Sequence, residues 1–149
     1  MDKAIIAIDG YASTGKSTLS KRLSSHLGLP YIDSGAFFRG ITFLALEKGW
    51  INDENIYKEA IELGIKDIKI YYNTSDNKLI LNEIDITDQI RSKLVSSNVS
   101  KIAKLPFVRF FILKQQRLMG NSFGLVMDGR DIGTVVFPNA DFKFFFTAR

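Results

Sequence analysis

The chain has 149 residues, 46% of them hydrophobic and 24% charged, which excludes a disordered protein, a collagen-like protein and a disulfide scaffold. Its 20 Lys and Arg against 16 Asp and Glu give a formal net charge of +4, without the dense basic block typical of nucleic-acid binding. With no Cys, no leader-like start and no apolar run near the ~20 residues of a membrane span, we expect a cytoplasmic protein without a membrane partner. We also expect a monomer and no nucleic-acid partner.

The chain begins with an apolar run at residues 4–8 that predicts a strand buried on both faces, as in parallel sheets. A turn rich in Gly, Ser and Thr follows, and then an amphipathic helix over residues 17–27. A short strand is predicted at residues 31–32. This succession of strand, helix and strand forms a βαβ unit, which predicts an α/β fold.

In the middle of the chain, the pattern of apolar residues changes from helical spacing to short runs. Helices are predicted over residues 36–48 and from a cap at Asn52 and Asp53 through Leu63. Polar turns then separate three short apolar runs, at residues 68–72, 79–81 and 84–86. These runs predict a small antiparallel meander inserted into the α/β frame.

The last third of the chain predicts two helices and two strands. Thr87 or Asp88 is expected to cap a helix through about Val99, and Pro106 to begin another that runs to Met119. Strands are predicted at residues 124–127 and 141–146. The second strand is heavily aromatic, and we expect its Phe side chains, and those near residues 107–111, to lie in the core.

The turn after the first strand matches a phosphate-binding motif, G-x-x-x-x-G-K-[ST], in the run Gly10-Tyr11-Ala12-Ser13-Thr14-Gly15-Lys16-Ser17. Its two glycines permit backbone angles that turn amides toward an anion, and the helix behind it adds a positive dipole end. Lys16 can reach the β- and γ-phosphates, and the Ser17 hydroxyl can bind Mg²⁺. The motif therefore predicts a nucleoside triphosphate site.

Two further clusters carry the chemistry that a phosphate acceptor needs. The run Ser34-Gly35-Ala36-Phe37-Phe38-Arg39 lies just past the second strand, where Arg39 can clamp a phosphate bidentately. The run Asp128-Gly129-Arg130-Asp131-Ile132-Gly133-Thr134 follows the strand at residues 124–127 and concentrates acid and guanidinium groups at one strand end. A salt-bridged turn is the alternative interpretation of the second run.

Taken together with residues 8–18 and the following Val135-Val136-Phe137-Pro138, these runs resemble the bacterial cytidylate kinases. The similarity extends in order over essentially the whole chain, and the Gly-Arg-Asp-Ile-Gly-Thr-Val-Val stretch is its most specific part. The resemblance implies a P-loop NTPase-type parallel sheet flanked by helices. It also implies transfer of the γ-phosphoryl group of ATP, with Mg²⁺, to CMP or dCMP, giving CDP or dCDP.

The resemblance further implies residue roles. Arg39 and Arg130 would clamp the acceptor phosphate, with Ser34 beside it, while Ser100, Arg109 and Asp131 would read the cytosine edge. Lys16, Arg130 and Asp128 would be catalytic, with Asp128 facing the phosphates and the metal, and Ser17 would be the metal ligand. The ATP site would comprise nine consecutive residues: Gly10, Tyr11, Ala12, Ser13, Thr14, Gly15, Lys16, Ser17 and Thr18.

The resemblance predicts a nucleoside monophosphate kinase core over residues 1–149. Residues 1–64 and 100–149 would form the P-loop core, and about residues 65–99 an inserted monophosphate-binding subdomain. The family's Arg-rich lid and C-terminal part have no counterpart here, so we expect binding of both nucleotides with slow or no turnover. The alternatives are a non-catalytic nucleotide-binding fragment, or a P-loop kinase of another small acceptor such as shikimate or dephospho-CoA.

Overall fold

A computed structural model of the chain describes residues 3–11 and 15–147. Its regular elements are β1 (Ile5–Gly10), α1 (Lys16–Leu27), β2 (Tyr31–Asp33), α2 (Gly35–Glu47), α3 (Lys58–Gly64), β3 (Ile70–Asn73), β4 (Lys78–Leu81), β5 (Ile84–Asp85), a 3₁₀ turn (Gln89–Arg91), α4 (Lys93–Ala103), α5 (Pro106–Ser122), β6 (Leu125–Gly129), a π turn (Ile132–Val136) and β7 (Phe142–Phe146). None of the described helices has both the length and the apolar character needed to cross a membrane.

The chain divides into two compact units. Unit 1 comprises residues 1–34, 74–77 and 114–149, and unit 2 comprises residues 35–73 and 78–113, so the division falls within α5. These two units follow from compactness and do not show which residues bind the monophosphate. The assignment of residues 65–99 to a monophosphate-binding subdomain therefore stays a prediction.

Unit 1 contains a four-stranded parallel sheet in the order β2-β6-β1-β7. β1 is central and buried from Ile6 to Gly10, as its unbroken apolar run predicts. Ile6 and Ile8 form an apolar cluster with Leu29 and Val126, and α1 adds Leu23 and Leu27 to the edge of that cluster. The predicted α/β fold with a parallel sheet is confirmed.

The aromatic strand β7 corrects one expectation. Phe142, Phe144 and Phe145 are 48%, 41% and 68% exposed, and in α5 Phe110 is 63% exposed, so these side chains do not lie in the core. The β7 side chains are exposed because β7 is the last strand in the sheet order, where it pairs with β1. Phe146 alone among the β7 aromatics packs against the apolar cluster of unit 1.

Unit 2 is built around α2, which buries most of its apolar residues and packs against α4 and the meander. The meander is the antiparallel sheet β3-β4-β5, which confirms the predicted insertion. Gly40 permits this packing, since a Cβ there would lie 2.7 Å from the Ile70 Cδ1 atom. The helix therefore approaches β3 more closely than a side chain would allow.

Two predicted helix caps are wrong because their side chains accept hydrogen bonds from other backbone amides. Asn52 Oδ1 accepts hydrogen bonds from the amides of Glu54 and Asn55, at 3.0 and 2.9 Å, so it forms a local turn and the helix begins only at Lys58. Thr87 Oγ1 accepts from the Leu79 amide of β4 at 2.9 Å. Asp88 precedes only the 3₁₀ turn at Gln89–Arg91, and its side chain makes no cap hydrogen bond there. The N-cap of α4 is instead Ser92, whose hydroxyl accepts from the Val95 amide at 3.2 Å.

Candidate nucleotide site

The predicted phosphate loop connects β1 to α1. Gly15, the N-cap of α1, adopts a left-handed conformation with φ 85°, which a glycine reaches without steric cost. The Lys16 Nζ donates a hydrogen bond to the Gly10 carbonyl oxygen at 2.7 Å, so the ammonium lies at the carboxyl end of β1. Ser17 and Thr18 are exposed in the first turn of α1. Ala12, Ser13 and Thr14 lie outside the described residues.

Asp128 is a buried carboxylate near the end of β6. The Tyr31 hydroxyl on β2 donates to its Oδ2 at 2.8 Å. Burial raises the pKa of Asp128, the Asp33 carboxylate raises it further, and the Tyr31 hydrogen bond and the Lys16 charge oppose these effects. Burial and the charge of Asp128 also raise the pKa of Tyr31, so this phenol keeps its proton and remains the donor.

Ser34 is buried and held by its backbone against β6. Its amide donates to the Asp128 carbonyl oxygen at 3.1 Å, and its own carbonyl oxygen accepts from Gln116 Nε2 at 3.4 Å. A Cβ at Gly129 would lie 1.9 Å from the Ser34 Oγ atom. Glycine at position 129 thus leaves the space that the Ser34 side chain occupies.

The segment after β6 carries two predicted site residues, of which the first contacts Tyr11 of the phosphate loop. The Arg130 guanidinium lies 5.0 Å from the centroid of the Tyr11 ring, within the range of a cation–π contact. Asp131 follows with an exposed side chain and a left-handed backbone, φ 59° and ψ 26°. Lys16, Tyr11, Asp128 and Arg130 therefore all belong to one compact unit.

The other predicted acceptor residues belong to unit 2. Arg39 is half-buried on α2, whereas Ser100 on α4 and Arg109 on α5 are exposed. The helix α4 packs against α2 within that unit. That these residues bind the same nucleotide as Ser34, Arg130 and Asp131 stays a prediction.

Sequence reasoning missed three residues that support the site. Tyr31 and Gln116 hydrogen-bond to Asp128 and Ser34, and Asp9 accepts hydrogen bonds from the backbone after Asp131. Tyr31 and Gln116 carry no local motif. Asp9 had one available signal, since a carboxylate directly after a buried apolar run requires a polar partner.

Comparisons with known proteins identify the family of the chain. The family model described as cytidylate kinase matches residues 6–149. A cytidylate kinase of Phocaeicola vulgatus is 49% identical to the chain over 99% of the chain and 66% of its own length. The corresponding values for a cytidylate kinase of Flavobacterium psychrophilum are 45%, 99% and 67%. The chain belongs to the cytidylate kinase family.

The match to the cytidylate kinase family covers this chain almost completely but each relative only in part. The chain spans about two thirds of the length of the two relatives, at 66% and 67%. A bifunctional pantoate ligase/cytidylate kinase of Prochlorococcus marinus is 44% identical over 98% of this chain but only 28% of its own length. Every predicted site residue lies within the matched residues 6–149, and the individual roles stay predictions.

Asp128 leads to a prediction about stability. The pKa of Asp128 is raised above the ordinary 3.8, because the buried carboxyl favours its protonated form. The contribution of this group to the free energy of unfolding is therefore favourable at low pH and is lost as the pH rises through the raised pKa. At pH 7 the fold therefore contains a disfavoured buried charge. We expect Asp128→Asn, which keeps the shape and an acceptor for Tyr31, to unfold at a higher temperature than wild type at pH 7. The difference should shrink as the pH falls toward 3.8, measured by circular dichroism.

Asp141→Asn is the matched control, because the Asp141 carboxylate is exposed and accepts from the Ile5 amide at 2.8 Å. It should not raise the unfolding temperature at pH 7. A lower unfolding temperature of Asp128→Asn at pH 7 would contradict the burial argument.

Proposed function

We propose that this chain transfers the γ-phosphoryl group of ATP to CMP or dCMP, giving CDP or dCDP and ADP in pyrimidine nucleotide metabolism. The observation that carries the proposal is the family match over residues 6–149, which includes the phosphate motif and the segment after β6. The absence of Cys fits a reducing compartment, and we place the reaction in the cytoplasm. We also propose a monomer, which size-exclusion chromatography tests.

The ATP site of the proposal is the loop from Gly10 to Thr18. Lys16 supports it, because its ammonium lies beside the Gly10 carbonyl at the end of β1 and can exchange that contact for phosphate oxygens. The N-terminus of α1 adds the positive end of a helix dipole. Positioning and cations account for most of phosphoryl transfer, so the proposal includes no protein nucleophile.

The acceptor site of the proposal joins the residues predicted for CMP. Arg39 and Arg130 would clamp the phosphate, with Ser34 beside it. Cytosine carries an N4 amino donor next to acceptors at N3 and O2. The Asp131 carboxylate would accept from N4, and Arg109 and Ser100 would donate to the acceptors.

The chemistry of the available donors fits Mg²⁺. The Ser17 hydroxyl and the Asp128 carboxylate are hard oxygen ligands, the kind that Mg²⁺ prefers. Within residues 3–11 and 15–147, no group of three or more His, Cys, Asp or Glu side chains is arranged to hold a metal ion. This suits a cation that keeps waters and takes substrate phosphates as ligands. When bound, Mg²⁺ neutralises charge that develops on the phosphates.

A nucleotide screen tests the proposal. Binding of CMP, dCMP, UMP, AMP and ATP is measured by calorimetry, and transfer by coupled ADP release with chromatographic detection of CDP. We expect ATP to bind and CMP or dCMP to bind more tightly than UMP and AMP. Binding of ATP and CMP without CDP formation, both by this chain and by a version extended past Arg149, would favour the non-catalytic module. Phosphorylation of shikimate or dephospho-CoA in place of CMP would favour a kinase of another acceptor.

A further inference from the structure

The Asp9 carboxylate connects the end of β1 to the segment that carries Arg130 and Asp131. Asp9 is buried, and its two oxygens accept hydrogen bonds from two successive backbone amides, those of Ile132 at 2.6 Å and Gly133 at 2.9 Å. All of these residues belong to unit 1. The two partners lie more than 120 residues after Asp9 in the chain, with separations of 123 and 124 residues.

The backbone of Asp131 explains why a carboxylate fits at this place. Asp131 is left-handed, and a left-handed residue next to right-handed ones orients successive amides toward a common anion. Its carbonyl oxygen accepts from the amides of Val135 and Val136, at 2.9 and 3.1 Å, and thus begins the π turn. The Asp9 carboxylate therefore occupies the amide pocket directly after the predicted base-reading residue.

Arg117 holds the other end of the same turn. Its Nη2 donates to the Val135 carbonyl oxygen at 2.7 Å and its Nε to the Val136 carbonyl oxygen at 3.2 Å. The Arg117 side chain is exposed, yet it has these two backbone partners. An anion at the amide end and a cation at the carbonyl end both favour the dipole of the turn.

We propose that Asp9 is a positioning residue for the acceptor nucleotide, assisted by Arg117. By holding the π turn at both ends, the two side chains orient Arg130 and Asp131, and so determine affinity for the acceptor and discrimination between its bases. The inference rests on the proposed function, because it assigns Asp9 to the acceptor site and not to the ATP site.

Asp9→Asn separates this role from packing. Asn has nearly the same shape, but it offers one acceptor oxygen and turns an NH₂ group toward the second amide, so one hydrogen bond becomes a donor–donor contact. We expect the Kd of CMP to rise about five-fold and the preference for CMP over UMP to fall. The Kd of ATP should stay within about two-fold, because the altered contacts lie after Asp131. Hydrogen exchange at residues 132 and 133 should become faster.

Two further variants make the experiment decisive. Arg117→Gln changes an exposed side chain, so it should fold normally and raise the Kd of CMP about three-fold. Asp141→Asn changes an exposed carboxylate that accepts from the Ile5 amide, at the opposite end of β1, and should change no nucleotide affinity. If Asp9→Asn does not fold, the Arg117→Gln variant provides the test. An unchanged Kd of CMP for that variant then overturns the proposal.

The outcomes distinguish this inference from the proposed function. A wild-type protein that binds no CMP overturns the proposed function and, with it, a role for Asp9 toward that acceptor. Wild-type binding of CMP with unchanged affinity, base preference and exchange in Asp9→Asn overturns the positioning role alone. Equal losses of ATP and CMP affinity would make Asp9 a general structural residue and would also overturn it.

Discussion

In a version of the protein extended past Arg149, Lys16→Ala is expected to reduce the transfer of phosphate from ATP to CMP by roughly 10²–10³-fold, the usual cost of losing one preorganised group that stabilises transition-state charge. The Lys16 ammonium lies at the end of β1, beside the Gly10 carbonyl. In the proposed reaction it meets the β- and γ-phosphates as negative charge moves toward the leaving group. CMP should bind with a Kd within about two-fold of wild type, since the change lies in the ATP site.

Coupled ADP release measures the transfer, and calorimetry measures the two affinities. Arg22→Ala is the matched control, because Arg22 is an exposed cation on the same helix. It should leave both affinities and the transfer rate near the wild-type values. Unchanged transfer in Lys16→Ala would refute the assignment of the phosphate loop.

Asp131→Asn is expected to shift base preference from CMP toward UMP by roughly ten-fold or more, the range of about 1–3 kcal/mol for a buried polar mismatch. A carboxylate accepts from the N4 amino group of cytosine, whereas uracil presents a carbonyl oxygen at that place. Asn supplies an amide donor for this oxygen. Asn also tolerates the left-handed backbone at position 131, so the substitution changes the recognising atoms and preserves the turn.

Competition between CMP and UMP in the binding assay gives the ratio directly. The control is again Asp141→Asn, which should leave the ratio unchanged because Asp141 contacts the beginning of β1. Equal losses of CMP and UMP affinity in Asp131→Asn would mean that Asp131 shapes the segment and does not read the base.

Much of the fold was predictable because its signals are local. An unbroken apolar run predicted β1, and three short runs with polar turns predicted the meander. The errors at Asn52 and Thr87 also have a local cause. Each side chain has several backbone amides within reach, and the sequence alone does not say whether it will cap a helix or accept from another nearby amide.

Burial of the aromatic residues was less predictable. A strand as apolar as β7 suggests a core position, but its Phe side chains are largely exposed because β7 lies at the end of the strand order. That order depends on which strands pair. Pairing is a contact between distant segments, and hydrophobicity within one segment does not determine it.

The sequence by itself determined the phosphate motif, the α/β class and the resemblance to a family, because each of these rests on residues that are contiguous or regularly spaced. Only the tertiary structure decided which groups support the site. The Tyr31–Asp128 hydrogen bond joins residues 97 positions apart, and the Asp9–Ile132 hydrogen bond joins residues 123 positions apart. Such partners meet because the parallel pairing places Asp128 opposite Asp33 and Gly129 opposite Asp9. Burial there obliges each polar group to find a partner.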